Sequence, residues 1–237
     1  MIKIRGFILQ ASYRISSTPS GARIPAIHIY GRLEDGGTFL VRDDRQRPHF
    51  YIRANDAERA QALRVPALLA ADKATFAGEP VCRIEVEVPS DVPALRARFH
   101  AAGIDTFEGD VRFAMRYLLE RGIKGGCEIE GGARRGRDIT LTFDNPILRP
   151  AQVKVDPRVL SFDIETDRKG ERLLAISLYS PEIDEVLIVD GSARAMPESA
   201  TQCTNEYVAL DTFCERIRAL DPDVLTGWNT IDFGLTG

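Results

Sequence analysis

At 237 residues and 44% hydrophobic content, the chain is long enough for one large domain or two ordinary ones with buried cores, which excludes disordered and fibrous classes. Lys+Arg (31) and Asp+Glu (35) leave a formal charge of −4, so there is no global basic field and any nucleic-acid contact is expected to be local. Cys82, Cys127, Cys203 and Cys214 stand far apart without a CxxC pair, suggesting neither zinc site nor disulfide framework and fitting a reducing cytoplasm; Lys3 and Arg5 cut the apolar start, and no run is long enough for a membrane span.

Period-two alternation over residues 2–15, 26–33 and 38–42, punctuated at Pro19–Gly21 and Asp35–Gly37, predicts a β-meander. A strand at 49–53 follows, then a helix from Asn55 or Asp56 running toward Ala71, with Pro66 breaking or kinking it, and an extended piece at 75–76. Residues 81–88 alternate strictly and read as an inner strand. Ser90 or Asp91 caps a helix that Gly103 stops, and 104–107 supply a last strand. The order βαββαβ is the ferredoxin-like arrangement. RNA-recognition domains share it but stack bases on aromatics of the central strands; strand 81–88 has none, which favours a structural module.

A helix over 110–121 closes at Gly122. The Gly-rich stretch 122–136 reads as a solvated loop or hairpin that is locally basic, and Lys124, Arg134, Arg135 and Arg137 are the candidate DNA contacts there. A strand at 139–143 leads to a linker around 150–157, so the domain boundary is placed between residues 1–152 and 153–237. Beyond it the expected order is strands at 159–166, 173–179 and 185–189, a loop at 191–204, a helix at 205–220 and a strand at 224–226. Three strands, a helix and a further strand is how an RNase H-like nuclease begins. The expected class is α+β: a β-meander with a ferredoxin-like unit, then an incomplete RNase H-like domain.

The chemistry concentrates in Leu160-Ser161-Phe162-Asp163-Ile164-Glu165-Thr166. On a strand, Asp163 and Glu165 share one face while Phe162 and Ile164 share the other. Two adjacent carboxylates repel unless a divalent cation sits between them, and Mg²⁺ with hard oxygen ligands suits the pair. Such a pair serves two-metal phosphodiester cleavage. Read alone, a DxE tripeptide is more often a solvated acidic strand edge, because such tripeptides are common.

A second stretch, Asp221-Pro222-Asp223-Val224-Leu225-Thr226-Gly227-Trp228-Asn229 followed by Thr230-Ile231-Asp232-Phe233, lies where a partner motif would fall. Together the two resemble the Exo I (DxE) and Exo II (GWNxxxFD) motifs of family B DNA polymerases. In the first half, Arg47-Pro48-His49-Phe50-Tyr51-Ile52 and Phe107-Glu108-Gly109-Asp110-Val111-Arg112-Phe113, running into Arg116-Tyr117-Leu118-Leu119, look like that family's amino-terminal strand and its segment leading into RYL. The bacterial polymerase II branch is the nearest likeness.

The resemblance implies a parent DNA polymerase acting in replication or repair, with a 3′–5′ proofreading exonuclease. It implies that Asp163 bridges two metal ions (Mg²⁺ or Mn²⁺), that Glu165 binds one and positions the attacking water, and that Asn229 helps hold the Exo II turn near the 3′-terminal nucleotide. Phe162, Trp228 and Tyr117 read as packing residues and Arg116 as a helix-surface residue. The implied partners are DNA, as a single-stranded 3′ end and a primer–template, and a sliding clamp for the full-length parent; the implied location is the bacterial cytoplasm, associated with the nucleoid, without membrane contact. The sequence departs from the pattern at Gly234, where the family has Asp, and the Exo III and polymerase motifs would lie beyond Gly237. The 237 residues are therefore expected to be inactive alone. The competing reading is a non-catalytic DNA-binding or structural module.

Overall fold

The computed structural model describes residues 1–65, 67–192 and 195–228. The chain divides into two compact units, Met1–Val155 and Asp156–Gly237.

The first unit opens with the expected meander: β1 (Ile2–Ser17), β2 (Arg23–Leu33) and β3 (Thr38–Asp43), paired antiparallel in sequence order. The 16-residue β1 carries a register shift between Ile8 and Gln10, the irregularity that lets a long strand bend. The Gly-rich stretch expected as a loop or hairpin instead supplies two strands, β7 (Gly126–Gly131) and β8 (Ala133–Arg135), and β9 (Leu141–Asp144) and β10 (Ile147–Pro150) return alongside them. Its alternation had been obscured by glycines, yet Cys127 and Ile129 point inward at period two. Strand β7 pairs with β1, and β9 runs parallel to β3. Because only Gly132 separates β7 from β8, and both halves face the β9–β10 strand, the sheet closes on itself. The result is a five-stranded Greek-key barrel of the OB type.

Ile27, Ile29, Phe39, Val41, Ile129 and Phe143 fill the barrel, and α3 (Phe113–Leu119), shorter than the predicted 110–121, plugs it with Phe113, Tyr117 and Leu118. Gly6 and Gly31 leave room for the Phe39 ring; a Cβ at either would collide with it.

Between β3 and α3 lies a smaller sheet, β4 (His49–Arg53), β5 (Ala67–Ala74) and β6 (Pro80–Glu85), ordered β4-β6-β5 and antiparallel throughout. Strand β6 is the inner strand and ends at Glu85 rather than Val88. Helices α1 (Ala57–Ala62) and α2 (Val92–Ala101) cover one face, burying Phe50, Ile52, Ile84, Leu95 and Phe99. Two expectations are corrected. The first helix stops at Ala62 instead of reaching Ala71: Arg64 adopts a left-handed φ of 53°, and the Ala/Leu-rich residues beyond pair with β6. Tertiary pairing here overrides a helical composition; Pro66 itself lies outside the described residues. The expected fourth strand at 104–107 amounts to a single bridge between Phe107 and Tyr51, so the sheet has three strands where the ferredoxin-like arrangement has four.

In the second unit β11 (Val159–Thr166), β12 (Leu173–Ser180) and β13 (Ile183–Val189) form an antiparallel meander. The stretch 191–204, expected as a loop, contributes β14 (Ala200–Cys203) parallel to β13. Helix α4 (Glu206–Leu220) then crosses to β15 (Val224–Thr226), which lies parallel to β11. Asn205 starts that helix by accepting a hydrogen bond from the Val208 backbone N–H, and Asp221 ends it in the left-handed region. The sheet order is β14-β13-β12-β11-β15. Ala209 and Phe213 of α4 pack on Leu160, Phe162, Ile176, Leu178 and Leu187, and Glu185 takes Arg216 of the helix at 2.7 Å. That guanidinium holds the Glu185 carboxyl below its ordinary range.

Candidate active site

Asp163 and Glu165 lie on β11, flanked in the sheet by β12 on one side and β15 on the other. Alternation puts Leu160, Phe162 and Ile164 into the core beneath α4 and leaves both carboxylates exposed on the opposite face. Phe162 packs as expected, its ring 5.1 Å from that of Phe213. Buried aromatics on one side of the strand thus fix the two acids on the other.

Asp163 Oδ1 accepts a hydrogen bond from its neighbour's backbone N–H (Ile164) at 3.1 Å. No ion pair to either carboxylate occurs among the described residues, whereas Glu185, on the covered face, is tied to Arg216 and Thr201. Opposite Asp163 is Ser177 and opposite Glu165 is Ala175, both small, so the adjoining surface is open. Tyr179, 64% exposed, stands on the same face two residues along β12. The alternation of residues 173–180 pointed to Ser177 and Tyr179, which were not singled out from the sequence.

Two adjacent carboxylates supply hard oxygen donors suited to a divalent cation. They make a partial site, because no cluster of three or more His, Cys, Asp or Glu able to hold a metal occurs among the described residues. Asn229 and Gly234 lie outside the described residues. Trp228, expected to pack, is 88% exposed.

The four candidate DNA-contact residues are not gathered in one place. Arg134 and Arg135 lie on β8 and Arg137 in the turn that follows, all exposed, with Arg134 bridged to Asp144. Lys124 precedes β7, so roughly 30 Å of extended chain separates it from the arginines. Arg116, expected at a helix surface, is buried: its guanidinium donates to Glu108 Oε2 at 2.7 Å and to the Glu108 carbonyl at 2.5 Å, fixing the loop before α3. No described helix is long and apolar enough to cross a membrane.

Comparison with known proteins fits this arrangement. The profile of the DNA polymerase family B exonuclease domain matches residues 104–236. DNA polymerase II of Escherichia coli is 28% identical over 97% of this chain, which spans 29% of that protein. DNA polymerase 1 of Pyrococcus abyssi is 34% identical over 88% of this chain, which spans 26% of it. The fold matches the family B DNA polymerase from the archaeon Pyrobaculum calidifontis with a TM-score of 0.73 and 22% identity, covering 98% of this chain and 31% of that one. The chain thus spans under a third of the length of these relatives. With more than half of its residues matched by the exonuclease-domain profile, the chain belongs to the family B DNA polymerases.

Proposed function

We propose that the chain is the amino-terminal and early exonuclease portion of a DNA-directed DNA polymerase of the polymerase II type, acting in replication or repair. The observation that carries this reading is the pair Asp163 and Glu165, side by side on the open face of a mixed sheet whose opposite face is packed by α4. Residues 1–152 would form the amino-terminal domain and 153–237 the first part of the exonuclease domain.

In this reading Asp163 and Glu165 hold Mg²⁺ or Mn²⁺ beside the 3′ end of a DNA strand. The ions would supply an activated water and charge stabilisation at the scissile phosphate. Asn229 would help hold the Exo II turn near the 3′-terminal nucleotide, while Lys124, Arg134, Arg135 and Arg137 would add local phosphate contacts to a primer–template. A sliding clamp would serve the full-length polymerase, in a bacterial cytoplasm at the nucleoid.

The 237 residues alone are proposed to lack exonuclease activity. Glycine stands at 234 where the family pattern has aspartate, and two carboxylates do not neutralise two divalent ions. That departure also favours the second reading, a DNA-binding or structural module without catalysis. Mn²⁺ titration followed by electron paramagnetic resonance tests the metal pair. One weakly held ion, lost in the Asp163→Ala/Glu165→Ala double variant, is expected; Mn²⁺ binding that ignores both substitutions refutes the assignment. With 5′-labelled single-stranded DNA and Mg²⁺ or Mn²⁺, no trimming from the 3′ end is expected. Trimming abolished by Asp163→Ala would overturn the inactivity.

A further inference from the structure

The barrel of the first unit carries a feature separate from the carboxylate pair. Ile27, Ile29, Phe39 and Val41 point inward, so the residues between them on β2 and β3 lie on the other face: His28 and Leu40, both nearly covered, half-buried Tyr30 and exposed Arg42. Past its register shift, β1 turns Ala11 inward and Gln10, Ser12 and Arg14 outward. The pairings place Ser12, His28 and Arg42 in one row across three strands, and Gln10 and Tyr30 in the next. Continuing that second row through Leu40 and Thr142 reaches Arg134 on β8.

Arg14 and Arg42 are exposed, and neither forms an ion pair among the described residues. Burial disfavours the charged form of His28, and both arginines lie close enough to add to that effect. Tyr30 is half-buried beside His28, with ring centroids 6.3 Å apart. Along this face and the β8–β9 hairpin, Arg14, Arg42, Arg134, Arg135 and Arg137 stand among Asp44, Asp138 and Asp144, with Glu34 and Asp35 in the β2–β3 turn beside Thr140. In barrels of the OB type, the face of the second and third strands and the loops after the first and fourth are where oligonucleotides bind. The loop after the fourth strand is here the turn between β8 and β9, which carries Arg137.

We propose that the outer face of β1–β2–β3, with Arg14 and Arg42 as phosphate contacts and half-buried Tyr30 as the aromatic contact for a base, binds single-stranded nucleic acid. The β8–β9 hairpin extends this path. Unpaired arginines on β1 and β3, on either side of β2, suit a flexible backbone, and Tyr30 on β2, one row along from Arg42, suits an unstacked base, which a duplex does not present. The site is independent of the metal pair, and it deepens the reading of DNA as the partner.

Fluorescence anisotropy of a labelled oligothymidine with the full 237-residue chain tests the proposal across a salt series. Arg14→Ala/Arg42→Ala is expected to weaken binding roughly tenfold at low salt and to lower the salt slope by about 1.4, the share of two single-strand phosphate contacts. Tyr30→Leu, which keeps an apolar side chain in place, is expected to cost at least about fivefold. Lys154→Ala/Arg218→Ala removes the same charge from exposed positions elsewhere and is expected to change affinity less than twofold or so. Circular dichroism verifies that each variant is folded. Binding that survives Arg14→Ala/Arg42→Ala, or equal affinity for a duplex of the same length, overturns the proposal while leaving the wider DNA reading intact. No binding by the unmodified chain at low salt overturns both.

Discussion

Asp43 of the first unit and the Asp163–Glu165 pair of the second are accommodated in opposite ways. In the barrel, the Asp43 side chain is fully buried and fully partnered: Arg45 donates from Nε at 3.0 Å and from a terminal nitrogen at 2.6 Å, and the Tyr117 hydroxyl donates at 2.7 Å. In the second unit, Asp163 and Glu165 stand exposed without an ion pair among the described residues. A buried carboxylate survives only where charge-assisted hydrogen bonds replace water, so Asp43 is part of how the barrel is held together. An exposed pair has no such obligation, and its side-by-side placement costs repulsion that a cation would relieve. Full satisfaction therefore marks structure here, while the exposed pair is the proposed metal site.

Removing Asp43 tests that contrast most severely. Asp43→Ala would strand the Tyr117 hydroxyl and one side of the Arg45 guanidinium, and the expected loss is about 3–5 kcal/mol of stability by chemical denaturation. The sign with pH follows. Burial pushes the Asp43 carboxyl up, but the hydrogen bonds from Arg45 and Tyr117 outweigh it and hold the carboxyl below its usual range. Its contribution is thus fully present above the unfolded value of about 4 and lost as pH falls through the lower folded value. Asp43→Asn should flatten that part of the acid limb; an unchanged acid limb would show that the buried carboxylate is not responsible.

Barrel closure gives a smaller effect. A Cβ at Gly31 would meet the Phe7 carbonyl oxygen and the Phe39 ring, so Gly31→Ala should cost about 1–3 kcal/mol through forced repacking. Pairing it with Phe39→Leu, which vacates the ring position, should recover part of the loss in a double-mutant cycle. Strict additivity would mean that the ring is not the obstacle. The smallest effect belongs to Asp163→Ala, which should change stability without divalent ions by no more than about 0.5 kcal/mol. A loss as large as that of Asp43→Ala would erase the contrast between the two acids.

The exonuclease strands were legible because their patterning is unbroken. Leu-Ser-Phe-Asp-Ile-Glu-Thr alternates without interruption, and β11 and β15 occupy the residues that alternation predicted. The shared face of Asp163 and Glu165 follows from strand geometry alone. Where composition and local pattern conflicted, the sequence misled: residues 67–74 have helix-forming composition but pair with β6, and Arg116 looked like a surface residue until the Glu108 loop closed over it.

By itself, then, the sequence determined which residues alternate, where the meander turns, and that two carboxylates share a strand face, because those are properties of neighbours along the chain. Tertiary structure alone decided that the meander closes into a barrel. Closure depends on β3 meeting β9 and on β1 meeting β7, pairings between segments about a hundred residues apart that no local period encodes. The same closure sets Arg14, Tyr30 and Arg42 on one outer face, since strand register, and not sequence distance, makes them neighbours.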